Sequence, residues 1–182
     1  MSDAPALTRR AMLKAGAMAA ATSATSGQLS AFTLPADGPR ALTRDQYATL
    51  EELTEILIPA DEHSGGAKAA GVAAYIDAML ADEFDASVKA SFIAGLTLVG
   101  GMAQQRHGKG FVAASAAERE AIVATMAEGE ANPTTDEARF FVALKRRTVR
   151  GYYTSRLGIH DELNYKGNTM QEEYSGVDVT PR

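Results

Sequence analysis

The chain has 182 residues, 46% of them hydrophobic and 23% charged, with a formal net charge of −5 and no cysteine. That acidity speaks against nucleic acid and anionic membrane surfaces as partners. The absence of thiols excludes disulfides, thiolate metal centres and covalent c-type haem in this chain.

Residues 1–31 read as a removable leader. Arg9 and Arg10 follow the hydroxyl of Thr8, and Leu13 and Lys14 come next. A weakly apolar, uncharged run follows over 15–24, and the whole resembles a bacterial twin-arginine export signal. Over 15–31, Thr22, Ser23, Thr25, Ser26, Gln28 and Ser30 interrupt the apolar residues, leaving them well short of the ~18 in a row that a membrane anchor needs. Small residues up to Ala31 suit a signal peptidase without offering one clean Ala-x-Ala. As the resemblance implies, this route carries folded proteins, often with a cofactor bound. Cleavage after Ala31 would leave 151 residues with fifteen basic and twenty-two acidic side chains, a net charge of −7, enough chain for one domain.

Residues 32–42, with Pro35, Gly38 and Pro39, read as a linker. Thr43 and Gln46 then form a capping-box pattern, with Leu42 and Tyr47 placed as a hydrophobic staple. Tyr47, Leu50, Leu53, Ile56 and Leu57 recur at helical spacing until Pro59 ends the segment. Residues 59–66 carry turn chemistry. A second helix over 72–81 is expected to bury Val72, Tyr75, Ile76, Met79 and Leu80. A third over 85–105 is expected to bury Val88, Phe92, Ile93, Leu96 and Val99, with Gly95, Gly100 and Gly101 weakening it. Ser115 and Glu118 form a second capping box before a helix that buries Ile122, Val123 and Met126. After Asn132 and Pro133, a longer helix starts near Thr135 or Asp136 and presents Phe140, Phe141, Leu144, Val149 and Tyr152. The chain turns irregular from about residue 155. Nothing alternates at period two for long enough to form a sheet. The expected class is all-α: a compact helical domain of about five helices, spanning 43–182, with a long irregular C-terminal tail.

Catalytic signatures are sparse. No Gly-x-Gly-x-x-Gly follows a strand, and Gly108-Lys109-Gly110 lacks P-loop spacing. His63, His107 and His160 share no i, i+3 or i, i+4 relation, so no helix face offers two metal ligands. Asp61-Glu62-His63 and His160-Asp161-Glu162 have the residue types of a hard-metal or acid–base site, but adjacent loop residues rarely converge. The commoner reading of Asp61 is a turn-forming side chain. Tyr152, Tyr153 and Tyr165, set among glycines, have the character of a partner surface, although Tyr152 also continues the face of Phe141, Leu144 and Thr148 and so reads as core. Lys145, Arg146, Arg147 and Arg150 form a basic cluster that is either a solvated helix face or a dock for an acidic partner. Gly151, Gly158 and Gly167 read as turn formers.

Several runs resemble the small subunit of gluconate 2-dehydrogenase, the subunit 3 family. They are Ile56-Leu57-Ile58-Pro59-Ala60-Asp61, Gly66-Ala67, Ala70-Gly71-Val72, Ile76-Asp77, Phe140-Phe141, Leu144-Lys145, Thr148 and Gly151-Tyr152-Tyr153-Thr154-Ser155. Gly158, Leu163-Asn164-Tyr165 and Gly167-Asn168-Thr169 complete the pattern. The chain departs from it at Arg156, where an acidic residue is usual, and at Val177, where many members carry a cysteine.

The resemblance implies a non-catalytic subunit with no cofactor of its own. Its expected partner is a large FAD-dependent subunit of the glucose–methanol–choline type, paired with it as a heterodimer and oxidising sugars, sugar acids or polyols. A multihaem cytochrome c is a third member of many such complexes. It further implies that Arg9, Arg10, Leu13 and Lys14 address the pair to the twin-arginine translocase and the periplasm. Membrane association would then come through the partners, with Tyr152, Tyr153, Thr154, Tyr165 and Asn168 as partner-binding residues. A free-standing periplasmic helical ligand-binding protein is the alternative, and it would require convergent polar groups in an interhelical pocket.

Overall fold

The computed structural model describes residues 33, 35, 37–165 and 167. The twin-arginine residues Arg9, Arg10, Leu13 and Lys14, as well as Asn168, lie outside them. Among the described residues the fold is all-α, as expected, with five α-helices and no strand. They are α1 (Arg44–Leu57), α2 (Val72–Ala81), α3 (Ala86–His107), α4 (Ala116–Ala127) and α5 (Asp136–Tyr153). A 3₁₀ turn, Phe111–Ala113, joins α3 to α4, and a π-helical turn, Leu157–Glu162, follows α5.

Both capping boxes form. Thr43 Oγ1 accepts from Gln46 N at 3.2 Å, while Gln46 Oε1 accepts from Thr43 N at 3.0 Å. At α4, Glu118 Oε2 accepts from Ser115 N and Nζ of Lys109 lies 2.8 Å from the same oxygen. The Lys109 ammonium, with the Ser115 donors behind it, holds the Glu118 carboxyl down at about 2. Asp85 caps α3 and Thr135 caps α5. In each case a side-chain oxygen takes up backbone N–H groups that have no partner inside the helix.

Helix α5 packs against all four other α-helices and the π turn, so the core is built around it. Leu50, Leu53, Ile76, Leu80, Val99, Ile122, Met126 and Leu144 are fully or almost fully buried in this core. Phe111, in the 3₁₀ turn, joins them between α1 and α3. Two glycines set the closest helix approaches. At Gly95 the ring of Phe140 occupies the space a Cβ would need, and at Gly151 a Cβ would lie 2.7 Å from the Tyr75 ring. Gly95 therefore serves α3–α5 packing, beyond its cost to helix propensity. Gly151, read from sequence as a turn former, sits inside α5 and lets α2 come close. Gly167 has φ of +100°, in the left-handed region that favours glycine.

The segment that reads as a linker is pinned over its last residues. Asp77, almost fully buried on α2, accepts backbone N–H bonds from Arg40 at 2.6 Å and from Ala41 and Leu42 at 3.0 Å each. One carboxylate thus fixes the entry to α1 and seats Leu42 in the core. Met79, Val88 and Val149, expected inside, are exposed. Helix α3 is apolar around most of its circumference, so periodicity alone could not choose its inner face.

Two glycines in α3 should respond in opposite directions. Gly95→Ala places a methyl into the Phe140 ring and should cost about 1–3 kcal/mol net of its helix-propensity gain. Gly101→Ala enters open space and should gain up to about 1 kcal/mol. Thermal midpoints measured by circular dichroism should therefore move to opposite sides of wild type.

Candidate partner-binding face

The end of α5, the π turn and the 59–66 loop meet at one end of the molecule. The loop is ordered by its own side chains: Asp61 Oδ1 accepts from the backbone N–H groups of His63 and Ser64, at 2.8 Å each. Those bonds, Ser64 first, hold the Asp61 carboxyl below its ordinary range. The turn-forming reading of Asp61 accounts for this geometry. Among the described residues no three His, Cys, Asp or Glu side chains converge as a metal would require.

Tyr152 ties the loop to α5. Its hydroxyl donates to Gly65 O at 2.9 Å and lies 2.6 Å from Ser64 Oγ. The ring is buried, and burial pushes the phenol above its ordinary value, against the lowering effect of the Ser64 bond. Tyr152 is thus an interior anchor, consistent with its place on the Phe141–Leu144–Thr148 face. Ser155 continues the construction: its Oγ donates to Tyr152 O at 2.6 Å and accepts from Gly158 N at 3.1 Å. Gly158 lies so close to the Tyr152 carbonyl that no Cβ would fit. This contact folds the chain back into the π turn, in a stretch that reads from sequence as irregular.

The remaining sequence-identified residues lie nearer the surface. Tyr153 is 38% exposed, with its ring edge-on to Tyr152 at 5.3 Å. Tyr165 is 48% and Leu163 58% exposed. Tyr165 is held through its backbone, its N–H donating to Ile159 O at 3.0 Å and its carbonyl lying 3.1 Å from His160 Nδ1. Thr154 Oγ1 donates to Arg150 O at 2.7 Å and so closes α5. The structure thus places Tyr153, Thr154 and Tyr165 at one exposed end, with Tyr152 beneath as their support.

The basic cluster divides. Lys145 is paired with Glu130 at 2.7 Å, and the Arg147 guanidinium lies over the Phe92 ring, 5.1 Å from its centroid. Arg146 and Arg150 are exposed. Leu163 belongs to one of the family runs, but its exposure is not legible in the sequence because nothing periodic surrounds it. Ser64 and Gly65 were missed because their partner lies 87–88 residues away.

Tyr152→Phe should cost about 1–3 kcal/mol by leaving Gly65 O and Ser64 Oγ without their shared partner. Hydrogen exchange should quicken in the 61–66 loop, while the α4 amides keep their protection. The pH dependence follows in sign. Above the ordinary tyrosine pKa of about 10, the unfolded chain releases this proton while the folded chain retains it. Stability therefore falls as pH rises through that value, and the fall should be shallower in the Phe variant.

The family model for subunit 3 of gluconate 2-dehydrogenase matches residues 44–169, from the first residue of α1 to beyond the π turn. Comparison with curated proteins and with solved structures gives no match. With its family pattern running through every helix described above, the chain belongs to the gluconate 2-dehydrogenase subunit 3 family, as an accessory-type subunit whose complex includes a catalytic partner.

Proposed function

We propose that this chain is the non-catalytic small subunit of a periplasmic dehydrogenase complex, and that it exports and stabilises a large FAD-dependent subunit. The observation that carries the reading is the conjunction of family membership with the leader. A subunit 3 domain follows a segment in which Arg9, Arg10, Leu13 and Lys14 have the form of a twin-arginine signal. The sequence has no Gly-x-Gly-x-x-Gly fingerprint, and among the described residues no three His, Cys, Asp or Glu side chains are grouped as a metal would require. An export route for folded proteins makes sense for such a chain if its passenger is a flavoprotein that must acquire FAD before crossing. The large subunit is of the glucose–methanol–choline type and oxidises a CH–OH group of a sugar, sugar acid or polyol; in many such complexes a multihaem cytochrome c takes the electrons onward. Tyr153, Thr154 and Tyr165, over the Tyr152 anchor, contribute to the contact with the large subunit, and Asn168 contributes as well.

The test is replacement of both leader arginines, Arg9→Lys with Arg10→Lys, in the native host. Flavoprotein dehydrogenase activity should fall at least tenfold in the periplasm and accumulate in the cytoplasm. Unchanged periplasmic activity would overturn escorting. Failure of the large subunit to co-purify with the wild-type chain would overturn the subunit reading itself.

A further inference from the structure

Helices α3 and α5 run side by side over Phe92 and Phe140, whose rings meet edge to face with centroids 5.3 Å apart. Above these rings lies a groove of about 480 Å³. Its α3 wall includes Ser91, Ala94 and Leu98, and its α5 wall Ala143 and Arg147. Phe84, fully exposed, precedes α3 at the Arg147 end. Residues 90–105 of α3 carry no charge; Gln104 and Gln105 are exposed near its end, and before them the exposed positions are Ala90, Ser91, Ala94, Thr97 and Gly101. Small side chains of this kind let another backbone approach closely.

The α5 side has the opposite character. Between Glu137 and Asp161 the sequence has six cationic residues and no acidic one, in a chain of net charge −5. Some of these cations are committed: Lys145 to Glu130, and Arg139 to Thr134 O at 2.8 Å. Among the described residues no ion pair within 4.0 Å joins Arg146, Arg147 or Arg150 to a carboxylate. Arg147 is half-buried on the Phe92 ring, and burial pulls its guanidinium below the ordinary arginine value.

We infer that the α3–α5 groove is the dock for a segment of the large catalytic subunit that lays an apolar side chain over Phe92 and Phe140 and sets carboxylates against Arg147 in the groove and against Arg146 and Arg150, which line the next depression along α5 with Glu130 and Lys145. This rests on the accessory-subunit reading and assigns it a face. Charge complementarity selects the occupant. A second copy of the chain would bring the cationic arc of α5 against itself across a two-fold axis. A bilayer fits less well. Although α3 is long and apolar enough to cross one, its inner side, Phe92, Leu96, Val99 and Ala103, is committed to the core. Val88 is the one large hydrophobic side chain exposed on α3, and the helix has none of the exposed aromatic residues of an interfacial helix. The large subunit's own surface is therefore acidic where it meets this groove.

The test uses the co-expressed complex, with the large subunit identified by its flavin absorption and by mass. Ala94→Trp fills the groove, the double variant Arg146→Glu, Arg150→Glu reverses the arc, and Glu120→Trp on the exposed side of α4 is the control. Each is first checked for a wild-type thermal midpoint. The first two should weaken subunit association at least tenfold, and the control should leave it unchanged. Wild-type association should weaken with salt, and the charge-reversed chain should lose that dependence. A photo-cross-linking residue at position 94 should capture the large subunit, and the same residue at 120 should not. An intact complex whose affinity ignores both variants would overturn the assignment, as would a cross-link from 94 only to a second copy, to lipid or to a small molecule. A wild-type chain that recovers no flavoprotein would instead overturn the accessory reading on which the assignment stands.

Discussion

The close passage of α5 beside α2 and α3 is the constraint on which the rest of the molecule depends. Two glycines permit it: Gly95 receives the face of Phe140, and Gly151 receives the edge of Tyr75. An ordinary Cβ at either point would push the helices apart and open the interior around Leu144, Val72 and Phe92, where packing leaves little slack. Helices α1 and α4 close over what these contacts create. Because α5 buries one side so completely, its opposite side is fixed too, and Arg139, Arg146, Arg150 and Tyr153 have no other place to go.

A second constraint joins the chain's entry to this core. Asp77 has its carboxylate inside α2's buried face, and its donors are the backbone N–H groups of residues 40–42. A buried carboxylate without donors would be costly. Here the donors come from a segment that would otherwise be loose, so one group's need for hydrogen bonds orders another's backbone. In the family runs Asp77 follows Ile76 directly, yet the pair reads only as the middle of an amphipathic helix. Nothing local marks Asp77 as an anchor, since its partners lie 35 to 37 residues earlier.

That contrast explains what could be read from the sequence. The capping boxes at Thr43 and Ser115 and the break at Pro59 are local events, and the helix limits they imply agree with the structure. The inner face of α2 was largely legible, except that Met79 is exposed. The inner face of α3 was less so, because Val88, Ala94 and Leu98 are as apolar as residues that are buried. The π turn escaped because six residues cannot display a period, and because its cause, the approach of Gly158 to the Tyr152 carbonyl, is tertiary. At the candidate face, residue types were legible and burial was not. Tyr152, Tyr153 and Tyr165 read as a group, but the Ser64 and Gly65 partners turn the first inward. Lys145, Arg146, Arg147 and Arg150 likewise read as one cluster, until Glu130 claims one cation and the Phe92 ring another.

The division of labour within α5 bears on the proposed role. An escort has to be folded before its passenger leaves, so its core cannot depend on the passenger's side chains for completion. The chain meets that condition: Phe92, Phe140, Phe141, Leu144 and Tyr152 are covered by its own helices. The docking surface must nevertheless be held rigid, because each side chain ordered on binding subtracts about 0.5–1.5 kcal/mol from affinity. Placing the arginines and Tyr153 on the outer side of the helix that anchors the core meets both conditions at once. Arg147 is already stacked on Phe92, so much of its ordering cost falls on folding. A carboxylate arriving there would gain a desolvated partner at little further loss of entropy. On this argument the groove gains its affinity from rigidity already present in the isolated chain, and a change that loosens α5 internally would weaken docking without touching any docking residue.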